Sequence, residues 1–498
     1  MSEVKMSHPR GLYSLFFTEM WERFSYYGMR ALLVLYLTAA VMQGGFGLDR
    51  TNALEIYALF TGLVYLTPIL GGLLADKVLG QRKAIFVGGI LMAIGQFCLA
   101  ASAGATGAET VDLTRNVMLN TGLGLLIMGN GFFKPNISTI VGALYESNDP
   151  RKDSAFTIFY MGINLGAFLS PLVAGSLGEK VGWQYGFSAA GVGMMVGLLW
   201  FYLRRNTLGD AGYPPNRKGE NLKLITKDYI DILLYVAANI VFVIGFLQIW
   251  DVISANIQTI ITWIFVIGGT AGLIYTITTG TSGSNEWSRV GVILILCVFN
   301  IFFWAGFEQA GGTFNLFAAE NTNRMLFNWE IPASYFQSIN AMAIFIFAPI
   351  FSLMWLRLDR INLNPNTPVK FGFGLILLAL GFVVMHMAST AAQDGSLVSP
   401  MWLVSVYLLH TFGELCISPI GLSMITKLAP AKIVSVMMGL WFASTALANY
   451  VAGILERLLH DFMPTMPLFK FLTISSALAG AVVLLLSPWL KQRMRGIK

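Results

Sequence analysis

The chain has 498 residues, of which 56% are hydrophobic and only 12% are charged. Soluble domains carry about 25% charged residues, so this chain has too little charge to coat a soluble globule of its length. The composition predicts a polytopic membrane protein and excludes a soluble enzyme, a disordered scaffold and a disulfide-built secreted protein. The net charge of +6 does not indicate nucleic-acid binding, because the basic residues lie in short loops between apolar runs.

Taken in chain order, fourteen apolar runs are long enough to cross a bilayer as helices, which requires about 20 residues each. Turn-forming clusters such as residues 148–150 separate them. The pattern predicts an all-α polytopic membrane protein with fourteen transmembrane helices. The predicted spans cover about residues 12–41, 53–75, 84–103, 116–145, 154–176, 182–203, 229–250, 257–280, 289–320, 331–356, 369–389, 400–425, 431–458 and 467–490.

The longest polar connection follows the sixth span. Residues 204–228 hold six basic side chains and two adjacent prolines. The next two spans contain no Lys, Arg, Glu or His, and removing that pair leaves six spans on each side. The predicted organisation is therefore an N-terminal six-helix bundle (1–204), a cytoplasmic linker (205–228), an inserted transmembrane helix pair (229–280) and a C-terminal six-helix bundle (281–498).

An internal repeat supports two similar halves. A proline recurs in the second span of each half, Pro68 and Pro349, 281 residues apart, and an acid recurs in the first, Glu22 and Glu308, 286 residues apart. Parallel halves of this kind are the arrangement of major facilitator transporters. The sequence therefore predicts the major facilitator fold.

The distribution of basic residues predicts the orientation. If the N-terminus is cytoplasmic, 23 of the 32 Lys and Arg residues fall on the cytoplasmic side, six fall outside and three lie within spans. Cytoplasmic loops carry the excess of Lys and Arg, so we expect both termini in the cytoplasm. The polar N-terminus has no cleavable signal pattern. The expected location is the bacterial inner (plasma) membrane.

Several charges lie inside the spans. An ionisable residue at mid-membrane costs at least about 2.5–3.5 kcal/mol on insertion scales. Two interpretations remain open from the residues: structural ion pairs that join helices, or a solvated cavity with exchangeable salt bridges suited to coupled transport. The intramembrane charges are Glu19, Glu22, Arg23 and Arg30 in the first span, Lys134 in the fourth, Glu308 in the ninth and Glu414 in the twelfth.

Neutral polar and aromatic side chains accompany these charges. Asn164 and Asn340 would serve either as interhelical hydrogen-bonding residues or as ligand contacts. His410, four residues before Glu414, suits a packed histidine better than a proton relay. The aromatic candidates, which could equally be interfacial or packing residues, are Tyr26, Tyr27, Tyr65, Trp304 and Trp441.

Enzymatic motifs are missing from the sequence. We find no nucleophile with its base, no metal-binding spacing and no nucleotide-binding loop. The three cysteines, Cys98, Cys297 and Cys416, are far apart within apolar runs. Without an ATP site, energy must come from an ion gradient or from the gradient of the substrate. We expect no cofactor.

Three motifs resemble those of the proton-dependent oligopeptide transporter family of the major facilitator superfamily, bacterial type. Residues 19–27 read EMWERFSYY and match its ExxERFxYY signature, and residues 159–166 (FYMGINLG) and 303–309 (FWAGFEQ) resemble two further signatures. Residues 72–83 resemble the major facilitator loop motif. The resemblance covers nearly the whole chain and implies import of di- and tripeptides with protons by alternating access.

The resemblance also implies residue roles. Glu19, Glu22 and Arg23 with Lys134 would couple protons, and Glu308 would join them through a salt bridge to Arg30. The substrate-binding residues that it implies are Tyr26, Tyr27, Arg30, Tyr65, Lys134, Asn164, Trp304, Glu308, Asn340, Glu414, Ser418 and Trp441.

One position departs from the family pattern. Animal members and some bacterial members carry a histidine in the second span, where this chain has Ala58. Proton handling would then depend on carboxylates, mainly Glu22 and Glu308. Two alternatives remain at this point: a related carrier of nitrate or another small anion, and, from a different class, an intramembrane lipid-modifying enzyme.

Overall fold

The structure is a computed structural model. It describes residues 7–75, 79–104, 107, 109–146, 149, 151–213, 230, 233, 270–463 and 466–496. The predicted helix pair 229–280 lies outside the described residues, apart from residues 230, 233 and 270–280. Residues 76–78 of the loop motif lie outside them too.

The described residues of the first half form six long helices. The helices of this half are α1 (Arg10–Thr38), α2 (Arg50–Leu74), α3 (Gln81–Ser102), α4 (Leu113–Ala143), α5 (Lys152–Ser170), a short α6 (Ser176–Lys180) and α7 (Trp183–Arg204). A π-helical turn, Pro171–Gly175, joins α5 to α6. Side-chain caps fix the N-termini of two helices. Asp49 accepts a hydrogen bond from the Asn52 backbone N–H at α2, and Asp112 accepts one from the Arg115 backbone N–H at α4.

The second half repeats this organisation. Its helices are α8 (Gly283–Phe307), a short α9 (Thr313–Asn321), α10 (Ser338–Arg360), α11 (Thr367–Ala391), α12 (Met401–Leu428), α13 (Val434–Phe462) and α14 (Leu468–Arg493). Between α9 and α10 lies a small antiparallel hairpin of β1 (Met325–Leu326) and β2 (Trp329–Glu330). Across the described residues, nine helices are long and apolar enough to cross a membrane. The prediction of an all-α polytopic membrane protein is confirmed.

The helix packing follows the predicted repeat. In the first half α1 packs on α5 and α7, and α3 packs on α4 and α7. In the second half α8 packs on α13 and α14, and α11 packs on α12 and α14. Counting the long helices of each half, these are the same four pairings. Pro68 and Pro349 both lie inside the second long helix of their half, as the repeat predicts.

The chain divides into two compact units. As far as it is described, the first unit comprises Met1–Ala53, Leu63–Ile249 and Ile331–Met342, and the second comprises Leu54–Gly62, Trp250–Glu330 and Ala343–Lys498. One segment of α2 therefore belongs to the second unit, and the start of α10 belongs to the first.

A carboxylate holds the segment Ile331–Met342 in the first unit. Glu179 on α6 accepts hydrogen bonds from the backbone N–H of Ala333 (2.8 Å) and of Ser334 (2.9 Å). Ser176 bonds the hydroxyl of Tyr335 at 2.7 Å. These contacts anchor the short helical turn that precedes α10.

We expect Glu179→Ala to destabilise this anchor by about 1–3 kcal/mol, because two backbone donors lose a charged acceptor. The melting temperature of the purified protein in detergent should fall. Glu109→Ala, at an exposed residue, is the control. Equal melting temperatures for the two variants would contradict the anchoring role.

The described N-terminal residues attach to the connection between α4 and α5. His8 hydrogen-bonds the Tyr145 hydroxyl (2.9 Å) and the Ser154 hydroxyl (3.0 Å). Nearby, the Arg151 side chain and backbone N–H donate to Asp149 and lower the pKa of that carboxyl to about 2. This polar cluster belongs to the first unit.

Candidate functional site

The intramembrane charges of α1 form one buried cluster. Glu19, Glu22 and Arg23 are 2%, 0% and 4% exposed. Arg23 Nε lies 2.9 Å from Glu19 Oε1 and 2.5 Å from Glu22 Oε2. One guanidinium therefore serves two carboxylates in the interior of a helix that is otherwise largely apolar.

Lys134 lies on α4 and faces α2. Its Nζ is 4.1 Å from the centroid of the Tyr65 ring, a cation–π contact. The two helices approach closely because Gly71 and Gly131 have no side chains: a Cβ on Gly71 would collide with the Gly131 backbone, and one on Gly131 with Thr67. Glycine at these two positions thus brings the lysine and the tyrosine together.

Asn164 lies on α5, which packs against α1. Its side chain is buried, and Nδ2 donates to the Tyr160 carbonyl at 2.9 Å. Gly162 and Gly166 allow the close approach, since a Cβ on Gly166 would collide with the Met20 backbone of α1. Small residues spaced four apart are the usual basis of close helix packing in membranes.

Aromatic rings extend the cluster along α1. The Tyr26 and Tyr27 rings meet edge to face, with centroids 5.3 Å apart. The Arg23 guanidinium is 5.6 Å from the Tyr26 centroid, and that of Arg30 is 5.7 Å from the Tyr27 centroid. Asn340 belongs to the same unit. Ten of the predicted site residues are thus members of the first unit.

Glu308 and Trp304 belong to the second unit. Helix α8 ends at Phe307, and Glu308, 4% exposed, opens a single 3₁₀ turn over Glu308–Ala310. The Trp304 and Phe307 rings meet edge to face at 5.2 Å. The predicted span 289–320 is therefore two helices joined at Glu308. Because Arg30 belongs to the first unit, its pairing with Glu308 stays a prediction.

Helix α12 carries Glu414 and Ser418, also in the second unit. Glu414 is buried, at 7% exposed, and Ser418 is partly exposed. Trp441 on α13 is buried with its ring 6.0 Å from that of Phe371. The ring fits against Gly421 of α12, where a Cβ would collide with it.

His410, one turn before Glu414, is packed among aromatic rings. Its centroid lies 4.8 Å from that of Phe382 and 5.6 Å from that of Phe314. The imidazole fills the notch at Gly381, where a Cβ would collide with it. This environment favours the packed-histidine interpretation over a proton relay.

Ala58 occupies the position where the resemblance implies a histidine in animal members and in some bacterial members. It is fully buried, and it packs on Gly453 so closely that a Cβ there would collide with the Ala58 Cβ. A larger side chain at residue 58 would have to be accommodated at this contact. Proton handling by carboxylates stays a prediction.

Sequence reasoning missed Asn130. This residue on α4 is 1% exposed, and its Nδ2 lies 3.4 Å from Glu22 Oε1. The signal was available, because Asn130 is four residues before Lys134 and therefore on the same face of the helix.

The cluster has an electrostatic property that suits coupling. Two buried carboxylates share one arginine, and Lys134 on the neighbouring helix acts electrostatically on both. A buried carboxylate is stable only with a cation or a proton, so a weaker attraction from Lys134 favours the protonated form. Within the described residues, no group of three or more His, Cys, Asp or Glu side chains is placed to hold a metal ion.

Sequence comparison places this chain among transporters. Residues 82–471 match the model of the family described as the POT family. The chain is 40% identical over 496 residues to an uncharacterized transporter, YclF, of Bacillus subtilis, covering 98% of this chain and 96% of that protein. It is 38% identical over 493 residues to the peptide transporter YePEPT of Yersinia enterocolitica, covering 96% and 94% of the two chains.

Solved structures give the same result. A crystal structure of a mutant of the peptide transporter POT in complex with alafosfalin matches with a TM-score of 0.83 and 36% sequence identity, covering 99% of this chain and 97% of that one. The helical architecture described above is therefore the major facilitator fold of this group of transporters.

Proposed function

This chain belongs to the POT family of transporters, and from that premise we propose that it is a symporter that carries di- and tripeptides into the cell together with protons. It is a transporter and not an enzyme, which sets aside the lipid-modifying alternative. The related proteins and structures named above include peptide transporters, and this supports peptides as the substrate class.

The observation that carries the proton coupling is the buried cluster on α1. Glu19 and Glu22 share Arg23. We propose that the nearby Lys134 is the cation that binds to this cluster and leaves it during transport. We assign proton coupling to these four residues and to Glu308. In this scheme Lys134 pairs with Glu22 when peptide is absent, and protonation of the carboxylate releases the lysine for the peptide.

We assign the two ends of the peptide by charge. A free peptide at neutral pH carries an α-ammonium and an α-carboxylate. Lys134 and Arg30 would attract the carboxylate, while Glu414 with Asn164 and Asn340 would hold the amino end and the backbone. The residues proposed to line the side-chain positions are Tyr26, Tyr27, Tyr65, Trp304, Ser418 and Trp441.

We also propose that both termini face the cytoplasm and that the protein lies in the inner membrane. The excess of Lys and Arg in one set of loops supports this orientation. Single cysteines introduced at residues 7 and 110 should react with an impermeant maleimide on opposite sides of the membrane.

The decisive experiment is uptake of labelled alanyl-alanine by liposomes with an imposed pH gradient, acid outside, and a pH dye inside. Peptide should accumulate above its external concentration while the interior acidifies with peptide addition. Accumulation without acidification would contradict proton coupling. Competition by nitrate but not by unlabelled dipeptides would favour the anion carrier.

We expect acetylation of the peptide amino end to weaken binding tenfold or more, about 1.4 kcal/mol. Glu414 is buried, and no Lys or Arg lies within twelve residues of it in the sequence. A buried carboxylate is stabilised by a cation, and an ammonium on the ligand supplies one. The measurement is inhibition of labelled dipeptide uptake by the free and the acetylated dipeptide.

Glu414→Gln should remove most of this discrimination, because an amide does not distinguish an ammonium from a neutral amide. The matched control is amidation at the other end of the same dipeptide, whose effect should be equal in wild type and variant. Equal inhibition by free and acetylated dipeptide in the wild type would make Glu414 a structural charge.

A further inference from the structure

The neighbours of Glu22 include a neutral side chain with no role in the scheme above. The two carboxylate oxygens of Glu22 face different groups: Oε2 lies 2.5 Å from Arg23 Nε, and Oε1 lies 3.4 Å from Asn130 Nδ2. Asn130 is buried in the first unit, on the helix that also carries Lys134. The proton-accepting carboxylate thus has one cationic and one amide partner.

In the Asn130 amide, the nitrogen has a hydrogen-bond partner and the buried oxygen, Oδ1, has none among the described residues. A buried acceptor without a donor is costly, so native proteins rarely retain one without a reason. An amide also offers a donor and an acceptor at nearly the same distance from its Cβ, and a half-turn exchanges them.

These two facts fit a carboxyl group that gains and loses a proton. When Glu22 is ionised it is an acceptor only, and the Asn130 N–H donates to Oε1. When a proton binds at Oε1, the new O–H needs an acceptor, and a half-turn of the amide presents Oδ1. Asn130 itself gains and loses no proton.

We propose that Asn130 is a positioning residue for proton coupling, which partners Glu22 in both protonation states. This inference rests on the proposed function, in which Glu22 takes up the proton. The amide holds the carboxyl in one place on α1 while its charge changes, and it sets the pH at which the change occurs.

Replacing Asn130 leaves the identity of the other charged and titratable groups around Glu22 and Arg23 unchanged. They are Glu19, Arg23, Tyr26 and Tyr27 on α1, Tyr65 on α2 and Lys134 on α4. A change of pH dependence in an Asn130 variant is therefore attributable to the amide.

The sign of the effect follows from hydrogen-bond strengths. A bond to an ionised carboxylate is stronger than a bond between neutral groups. Removing the amide therefore disfavours the ionised form more than the protonated one. Uptake that requires protonated Glu22 should persist to higher pH, with its midpoint raised by about one pH unit. This is a tenfold change in proton binding, equivalent to 1.36 kcal/mol.

Asn136 provides a matched control. It lies on the same helix and is equally buried, but its Nδ2 donates to the Phe132 carbonyl at 2.7 Å. Initial rates of labelled alanyl-alanine uptake would be measured in liposomes from external pH 5 to 9. Asn130→Ala should raise the midpoint, while Asn136→Ala should leave it at the wild-type value. If Asn130→Ala does not fold, Asn130→Leu keeps the branching at Cγ without the polar atoms and should give the same shift.

The Glu22→Gln background tests whether the amide acts through Glu22. In that background, adding Asn130→Ala should leave the pH dependence of peptide exchange unchanged. Equal midpoints for Asn130→Ala and Asn136→Ala, or a full shift in the Glu22→Gln background, would overturn the inference. If peptide uptake by the wild-type protein did not depend on the pH gradient, the proposed function itself would be refuted.

Discussion

Lys134→Ala is expected to abolish uphill peptide uptake. The buried cluster of α1 has two carboxylates for one arginine, and Lys134 is the cation that we propose to complete it. A buried charge whose partner is removed costs about 3–5 kcal/mol. Without the lysine, Glu22 would avoid this cost by remaining protonated. Proton release and peptide release would then no longer be linked.

The measurement is accumulation of labelled dipeptide under a pH gradient, with tracer exchange at equal pH as a second readout. Tyr65→Phe, which keeps the ring face under the ammonium, should retain most of the accumulation. Lys370→Ala is the matched control, because Lys370 Nζ also lies over an aromatic ring, 4.4 Å from the Trp355 centroid. Wild-type accumulation in Lys134→Ala, or equal losses in the two lysine variants, would refute this role.

Much of the fold was predictable from the sequence, since bilayer thickness and the cost of buried charge leave few choices. Each predicted span outside the inserted pair coincides with a long helix, which in two cases is followed by a short one. The charges on α1 were predictable as one cluster because residues 19, 22 and 23 share a helix face. The repeat in the sequence also appears in the helix pairings.

The breaks within spans were not predicted. The sequence gives no hydrophobic signal at the π turn Pro171–Gly175 or at the 3₁₀ turn Glu308–Ala310. Both are local departures from the α-helix. The first begins at a proline and the second is followed by two glycines, residues that make an α-helix less stable. The second break has a functional consequence, because it puts Glu308 at a helix end and not at mid-helix.

Contacts between distant residues were also beyond sequence reasoning. Asn130 and Glu22 are 108 residues apart, and Glu179 and Ala333 are 154 residues apart. Neither contact follows from a local pattern: the spacing of Asn130 from Lys134 indicates a helix face but not the partner, and Ala333 contributes only its backbone N–H. Only the packing of α4 on α1, or of the 333–337 turn on α6, brings them together.

Glu308 is a buried carboxyl group at the end of a helix. It is 4% exposed and follows directly on the last residue of α8. The C-terminal end of a helix carries a partial negative charge, which disfavours a carboxylate there. We propose that Arg30 and the transported proton alternate as partners of this carboxyl group.

Glu308→Gln, which mimics the protonated form, is accordingly expected to eliminate proton-driven accumulation and to retain peptide exchange. For one proton per peptide, a gradient of one pH unit supports about tenfold accumulation, since 1.4 kcal/mol corresponds to a factor of ten. The variant should reach only the external concentration, because glutamine keeps the shape of the side chain but carries no proton across. Glu320→Gln, at an exposed residue in the same unit, should accumulate like wild type. Tenfold accumulation by Glu308→Gln would exclude Glu308 from proton coupling, and loss of exchange as well would indicate a structural role.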